Sequence, residues 1–274
     1  MTSIKTLSDA KFRILSDEVY RLTGVTLDRS KQVMLSGRLG RHMRSLGLST
    51  VDEYLAEVRK PGKIQDAFVD KVTTHKTSMF RTTSVWRTMT EEVLPELAAN
   101  KGSARIWSGA SSTGQEPASL AVVCSHQQRQ TPGFRWSVLA SDVSPGMVQA
   151  TAEGRFDRKV VTDGARRFPG LSVTSYFDGQ PGDPEMQLKR EQRAGIMTRR
   201  HNLLKPAPGS GFDLIFLRNV IIYFSPADKS KVIRNAKRAL APGGLLIIGE
   251  SESLLEEDEE GLELLNHCIY KAAA

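Results

Sequence analysis

The most constraining stretch of this 274-residue chain runs from Ala104 to Ala121. Arg105 to Ser108 reads as a short apolar strand, Gly109 to Gly114 as a turn of small residues, and a helix starts near Gln115. Such a unit aims free backbone N–H groups and the positive end of a helix at a bound anion or polar ligand. Glycines at 109 and 114 let a ligand approach the main chain where a Cβ would clash. The spacing is not G-x-G-x-x-G, and Gln115 and Glu116 stand where a phosphate loop needs Lys and then Ser or Thr. A nucleoside triphosphate is therefore disfavoured. The competing reading is tight packing in an α/β domain, so the segments that follow carry the decision.

A second strand, Arg135 to Asp142, ends on an acid. At that position a carboxylate can accept hydrogen bonds from both hydroxyls of a ribose; alternatively Asp142 caps the helix from Pro145 to Glu153. A third strong strand starts at Phe212, its apolar run broken by Arg218 and Asn219 before Tyr223. From Ala239 to Gly249 come a helix end, a Pro-Gly-Gly turn and a buried strand. Glycine turn, acid, interrupted strand and Leu-x-Pro-Gly-Gly-x-Leu in this order resemble class I S-adenosylmethionine-dependent methyltransferases.

The length suggests two domains. With 39% hydrophobic and 25% charged residues the composition is that of an ordinary globular protein. No segment approaches the ~18 apolar residues that span a membrane, and the first residues lack the apolar core of a signal peptide. Cys124 and Cys268 have no metal-ligand spacing and read as reduced thiols of a cytoplasmic protein. The net charge of +7 favours an acidic partner, whether nucleic acid, anionic membrane or acidic protein.

Residues 1 to about 90 read as all-helical. One amphipathic segment opens at Ser8 and Asp9, carries Phe12, Leu15, Val19 and Leu22, and ends at Gly24. A second helix is expected from Asp28 to Leu46, with Leu35, Leu39, Met43 and Leu46 on its core side. Lys31, Arg38, Arg41, His42 and Arg44 cover the other side, with one acid, Asp28, at the start. That face is either simply solvated or a docking surface for an acidic helix or for phosphates. A capped third helix starts at Ser49 and ends near Pro61 and Gly62. Thr73 to Arg81 is richer in hydrogen-bonding groups than a plain linker, and a helix from Val85 to Asn100 leads into the glycine turn.

From about 157 to 201 the chain reads as an insertion with a small antiparallel β element, including a hairpin around Gln187 to Arg200. The acidic run Glu256 to Glu260 reads as a solvated helix start, and Asn266 to Lys271 as a final antiparallel strand.

Several stretches together are similar to one methyltransferase family, the chemotaxis receptor methyltransferases of CheR type. They are Gly24 to Leu27, Arg38 to Leu48, Thr73 to Arg81, Ile106 to Pro117, Ala140 to Ser144 with Gly154 to Phe156, Asn202 with Leu203, and Leu217 to Phe224. They span nearly the whole chain in the family's order. The resemblance implies that Thr77 and Arg81 face the methionine carboxylate end and the active site, and that Glu116 helps to hold the amino-acid moiety. It implies that Asp142 binds the ribose, with Gly109 beside it. Asn202, Leu203, Arg218 and Asn219 would surround the adenosine, and Tyr223 would lie near the substrate side chain. His75 occupies a cofactor-binding position where the family usually has Asn; an imidazole can still donate one hydrogen bond there. Gln115 likewise replaces a commoner Glu.

The chemistry agrees independently. A methyl sulfonium is already activated, and a glutamate of pKa about 4.3 is already ionised at neutral pH. Such an acceptor needs positioning and partial desolvation rather than a general base. The segment Arg218 to Tyr223 lacks the acidic-Pro-Pro-aromatic pattern that usually serves a nucleobase amine. Arg81 is expected to orient a carboxylate, of substrate or cofactor, its alternative role being a structural ion pair. Lys31, Arg38, Arg41 and Arg44 would steer the acidic receptor helices in.

The expectation is therefore an α/β protein: an all-helical receptor-docking domain (1–90) and a Rossmann-like class I methyltransferase domain (91–274). The latter should have a seven-stranded, mostly parallel sheet and the small β insertion. It would convert S-adenosyl-L-methionine to S-adenosyl-L-homocysteine while esterifying receptor glutamates, as a cytoplasmic monomer with no metal, nucleic acid or membrane insertion. The alternatives are a nucleic-acid methyltransferase and a non-catalytic S-adenosylmethionine-binding sensor.

Overall fold

A computed structural model describes residues 8–266 and 268–273; the start of the chain, including the stretch read for a signal peptide, lies outside them. Helix α1 (Asp9–Thr23) is capped by the Ser8 hydroxyl and stopped by Gly24, whose φ of +78° suits a left-handed cap. Asp28 caps a short 3₁₀ turn (Arg29–Lys31), so α2 proper begins later than expected, at Gln32–Ser45. A reciprocal Thr50–Glu53 capping box opens α3 (Val51–Val58), and α4 (Lys63–Val72) follows Gly62. The apolar stripes of these four helices meet in one cluster that includes Phe12, Leu35, Tyr54 and Phe68 and ends with Val72. Leu46, expected in that core, is 36% exposed because it lies past the last helical turn.

The next cluster starts at Met79 and belongs to a sheet. Val85, Trp86, Met89 and Leu94 pack in it, so the stretch expected as a helix from Val85 to Asn100, which a boundary at 90 would divide, is held by the second unit. It is not continuous: α5 (Thr83–Thr88), a π-helical turn (Met89–Val93) and α6 (Leu94–Asn100) follow one another. Pro95, at the start of α6, has no N–H to give the preceding turn.

The chain then runs β1 (Ser103–Ser108), α7 (Gln115–Gln130), β2 (Arg135–Asp142), α8 (Pro145–Glu153), β3 (Arg155–Asp157), α9 (Arg158–Arg167), β4 (Phe177–Asp178) and β5 (Glu185–Leu188). It continues through α10 (Arg190–Ala194), β6 (Ile196–Arg200), β7 (Phe212–Leu217), α11 (Pro226–Ala239), β8 (Leu240–Ile248), α12 (Glu256–Glu259), β9 (Leu262–Asn266) and β10 (Ile269–Ala272). The main sheet has seven strands in the order β6-β2-β1-β7-β8-β10-β9. The first five are parallel, whereas β10 runs antiparallel to both of its neighbours. Alternate residues of β7 feed opposite faces, Leu214 and Phe216 into the cluster with α7, Ile215 and Leu217 into that with α11. Strand order reverses beside β1, which opens a crevice at the carboxyl ends of β1, β2 and β7.

The insertion is a separate three-stranded antiparallel sheet, β3-β5-β4. The expected hairpin around Gln187 to Arg200 does not form. Glu185–Leu188 stays in the small sheet, and Ile196–Arg200 joins the main sheet as a parallel edge strand on β2. Gly195 permits this, since a Cβ there would lie 2.4 Å from the Trp136 ring. The chain end is also corrected. Asn266 Oδ1 accepts from the Cys268 N–H (3.1 Å), and the chain reverses between two strands rather than forming one; His267 lies outside the described residues. In the acidic run, Asp258 is buried and accepts from Ser230 Oγ at 2.9 Å, so that helix start is not merely solvated. Among the described residues no helix is long and apolar enough to cross a membrane.

Gly114 opens α7 at φ +91°, and a Cβ there would sit 3.1 Å from the Thr151 backbone of α8. Gly133, at φ +100°, has nothing within 4 Å of such a Cβ. Both alanine variants carry the left-handed backbone cost of about 1–2 kcal/mol, but only Gly114→Ala also collides with a neighbour. Thermal unfolding followed by circular dichroism should show the larger loss for Gly114→Ala; equal losses would contradict the packing role.

Candidate active site

A cleft of about 1000 Å³, counting its open mouth, lies at the carboxyl ends of β1, β2 and β7, with the helical unit as its far wall. Its lining joins Thr23 and Lys31 of the helical unit, the linker from Thr73 to Ser78, and the residues that follow the three strands. The volume suits a nucleoside carrying an amino-acid tail.

Of the residues expected here, His75, Thr77 and Arg81 line the linker side. Gly109, Glu116 and Asp142 line the floor, and Leu203, Arg218, Asn219 and Tyr223 the opposite wall. Asn202 is not among the lining residues: its amide donates to the Leu22 carbonyl (3.4 Å) and accepts from the Leu204 N–H (2.9 Å), tying the wall to α1. Lys31, expected on an outer docking face, instead reaches the cleft, its Nζ 4.9 Å above the Tyr223 ring. Arg38 and Arg41 line a separate surface pocket with His42, Ser45 and Lys71, and Arg44 is exposed outside both.

At the ribose position, Asp142 is 8% exposed and accepts from the Ser112 N–H (2.9 Å) and the Ser144 N–H (3.0 Å). The cap of α8 is Ser144, whose Oγ accepts from the Met147 N–H (3.1 Å), so the alternative reading of Asp142 as that cap does not hold. A carboxylate offers about four acceptor positions; two remain for hydroxyls. Burial pushes the Asp142 carboxyl up, against the pull of the backbone amides around it and of the neighbouring His75.

Glu116 forms the second anchor. Its Oε1 accepts from Ser108 Oγ at 2.8 Å, and its Oε2 pairs with Arg218 Nη1 at 3.3 Å. Burial raises its pKa, opposed by Arg218 and Ser108. The Arg218 side chain, 2% exposed, also donates to the Arg81 carbonyl (2.6 Å) and lies over the Trp86 ring. Among the described residues its Nε is buried without a hydrogen-bond partner. An orphaned donor beside a carboxylate, at the end of a cleft, fits an α-amino acid tail on the ligand. These observations, with the spare acceptor positions of Asp142, make the cleft a fit for S-adenosylmethionine.

The Arg81 guanidinium makes no salt bridge among the described residues; its side chain donates to the Lys76 carbonyl at 3.4 Å. The structural ion pair considered for it is therefore absent there. The glycines differ from expectation too. A Cβ on Gly109 would meet Leu217 at 2.3 Å, so strand packing excludes it, and Gly114 lies outside the lining and serves the turn.

Sequence reasoning passed over Ser108, Ser112, His201 and Glu252. Ser108 was visible only as a strand end. His201 lines the cleft edge-on to Trp107, and burial holds it down to about 4, hence neutral at ordinary pH. Glu252 accepts from the Asn219 N–H and the Gly249 N–H, both at 2.6 Å, and from the Ile222 N–H at 3.3 Å, which fixes the wall after β7. An acid inside Gly-Glu-Ser-Glu directly after a buried strand was its one signal.

Comparison with known proteins agrees with this geometry. The CheR methyltransferase all-alpha domain matches residues 10–73, and the CheR methyltransferase SAM-binding domain matches residues 75–268. A chemotaxis protein methyltransferase of Vibrio parahaemolyticus is 36% identical over 259 residues, covering 93% of this chain and 92% of the relative. Chemotaxis protein methyltransferase 1 of Pseudomonas aeruginosa is 31% identical over 274 residues, covering 97% and 98%. That of Escherichia coli is 32% identical over 260 residues, covering 92% and 87%. The chain belongs to the CheR family of S-adenosylmethionine-dependent methyltransferases.

Proposed function

We propose that the protein methylates glutamate side chains on the cytoplasmic helical domain of methyl-accepting chemotaxis receptors, leaving γ-methyl esters and S-adenosyl-L-homocysteine. The observation that carries this reading is a pair of cations, Arg81 and Lys31, in a cleft that also presents Asp142 and the Glu116–Arg218 pair. Neither cation makes a salt bridge among the described residues, so both are free to meet an incoming carboxylate. The family membership and the names of the relatives support the receptor as substrate.

When bound, S-adenosylmethionine supplies a methyl group already activated by its sulfonium. Asp142 holds the ribose hydroxyls, with Leu203 and Asn219 against the adenosine. Glu116 and the free Nε of Arg218 take the amino and carboxylate groups of the tail, with His75 and Thr77 closing the linker side. Arg81 and Lys31 orient the acceptor carboxylate, and Tyr223 shapes its entry. An acceptor ionised at neutral pH leaves no proton to remove. The chain's task is alignment and exclusion of water. The two units divide at 73–78, which makes the cleft a product of their docking. Arg38, Arg41 and Arg44 lie on the outer face of α2 and attract an acidic receptor helix.

Asp142→Ala should weaken S-adenosylhomocysteine binding about a hundredfold, the scale of two hydrogen bonds to a charged group. Calorimetry measures this, and near-normal affinity would misplace the ribose. The hydroxyls favour the charged form of Asp142, whose carboxyl is raised by burial. Affinity for the wild type should therefore fall as pH drops through that raised value.

Reversal of both charges in Arg38→Glu/Arg41→Glu should raise KM for a receptor fragment about tenfold at low salt. The gap should narrow as salt screens it, with cofactor affinity unchanged. Kinetics indistinguishable from wild type would remove the docking role.

A further inference from the structure

We propose that Asp70 is a positioning residue that clamps the helical unit onto the start of α8 and thereby sets the distance between the two walls of the cofactor cleft. This rests on the reading of the cleft as the cofactor site. Asp70 lies near the end of α4, and its two polar ends face different walls. Its carboxylate Oδ1 accepts from Ser144 Oγ and from the Gly146 N–H (3.3 Å), in the first turn of α8. A negative charge at a helix N-terminus is favourable, and the hydrogen bond from a buried serine is charge-assisted. Its main-chain carbonyl faces the ring Nε2 of His75 at 3.2 Å, and Thr73 Oγ1 meets the same nitrogen at 3.0 Å.

Ser144 completes the connection. It is fully buried, and its N–H is one of the two that hold the Asp142 carboxylate. One residue of the helical unit thus reaches the ribose acid through Ser144 and the linker wall through His75. The contact leaves no slack, since a Cβ on Gly146 would stand 2.7 Å from Asp70 Oδ2. Arg200–Asp66 also joins α4 to the sheet, at 2.8 Å, but both side chains are more than a third exposed and the pair is a weak substitute.

The test is binding of S-adenosylhomocysteine to the full-length protein by calorimetry, with circular dichroism to establish folding. Asp70→Ala should raise Kd about tenfold, the scale of one charge-assisted hydrogen bond. Asp70→Asn should stay within about threefold, because its single carbonyl oxygen can take both bonds that Oδ1 now accepts. Gly146→Ala should match Asp70→Ala by expelling the carboxylate, and the double variant should be no weaker than either single one. In turnover, KM for S-adenosylmethionine should rise while kcat at saturation holds; a merely destabilising change would lower the active fraction and hence kcat. If Asp70→Ala does not fold, Gly146→Ala and Asp70→Asn still decide. Wild-type affinity in a folded Asp70→Ala or Gly146→Ala, or additive losses in the double variant, would overturn the clamp alone. Failure of the wild type to bind would overturn the cofactor reading and the clamp together.

Discussion

The cleft depends on the buried ion pair between Glu116 and Arg218. It joins the first turn of α7 to the segment after β7, and through the Arg81 carbonyl it holds the linker from the helical unit. The attraction of such a pair is largely offset by desolvation, so it adds little net stability. What it supplies here is direction: Ser108 takes one carboxylate oxygen, Arg218 the other, and one guanidinium N–H is left without a hydrogen-bond partner among the described residues. Burial raises the Glu116 pKa. By linkage its stabilising contribution is therefore present below the unfolded carboxylate pKa and is lost as pH rises. A ligand whose positive charge meets this carboxylate recovers part of what its desolvation costs.

Backbone strain gathers around the same pair. Among the described residues, the non-glycine positions with positive φ are Phe80, Thr82, Ser112 and Asn219. Two flank Arg81 and the other two line the cleft. A β-branched Thr82 at φ +63° is unfavourable by itself. It is held by its surroundings: Trp86 Nε1 and Arg218 both donate to the Arg81 carbonyl, and Phe80 N–H donates to Ser119 Oγ. Asn219 is fixed in the same manner by Glu252. Strain of this kind persists where packing over-determines the chain, and here it turns side chains into the cleft.

Much of the fold was legible because its signals are local. Gly24, Thr50 with Glu53 and the run Phe212 to Leu217 each act within one turn or one strand, and Gln115 and Asp142 mark element ends by their own chemistry. What failed depended on partners distant in the chain. Ile196–Arg200 has a hairpin-like alternation, and only the space above Trp136 left by Gly195 makes it an edge strand of the main sheet. Asn202 looks like a ligand contact beside Leu203 until the carbonyl of Leu22 claims it. Lys31 shares its helix face with the basic residues, yet docking of the helical unit brings it over Tyr223. Asp70 and Glu252 carry no motif; their roles exist only once α4 meets α8 and β8 meets the segment after β7.

The central claim is that this cleft delivers a methyl group to a carboxylate. The direct measurement mixes the protein with methyl-labelled S-adenosylmethionine and a chemoreceptor cytoplasmic fragment, then exposes the labelled receptor to mild alkali. A glutamate methyl ester predicts that label enters the receptor and is released as volatile methanol. Label that stays on the receptor through alkali would mean an amine or other stable acceptor, and would contradict the account.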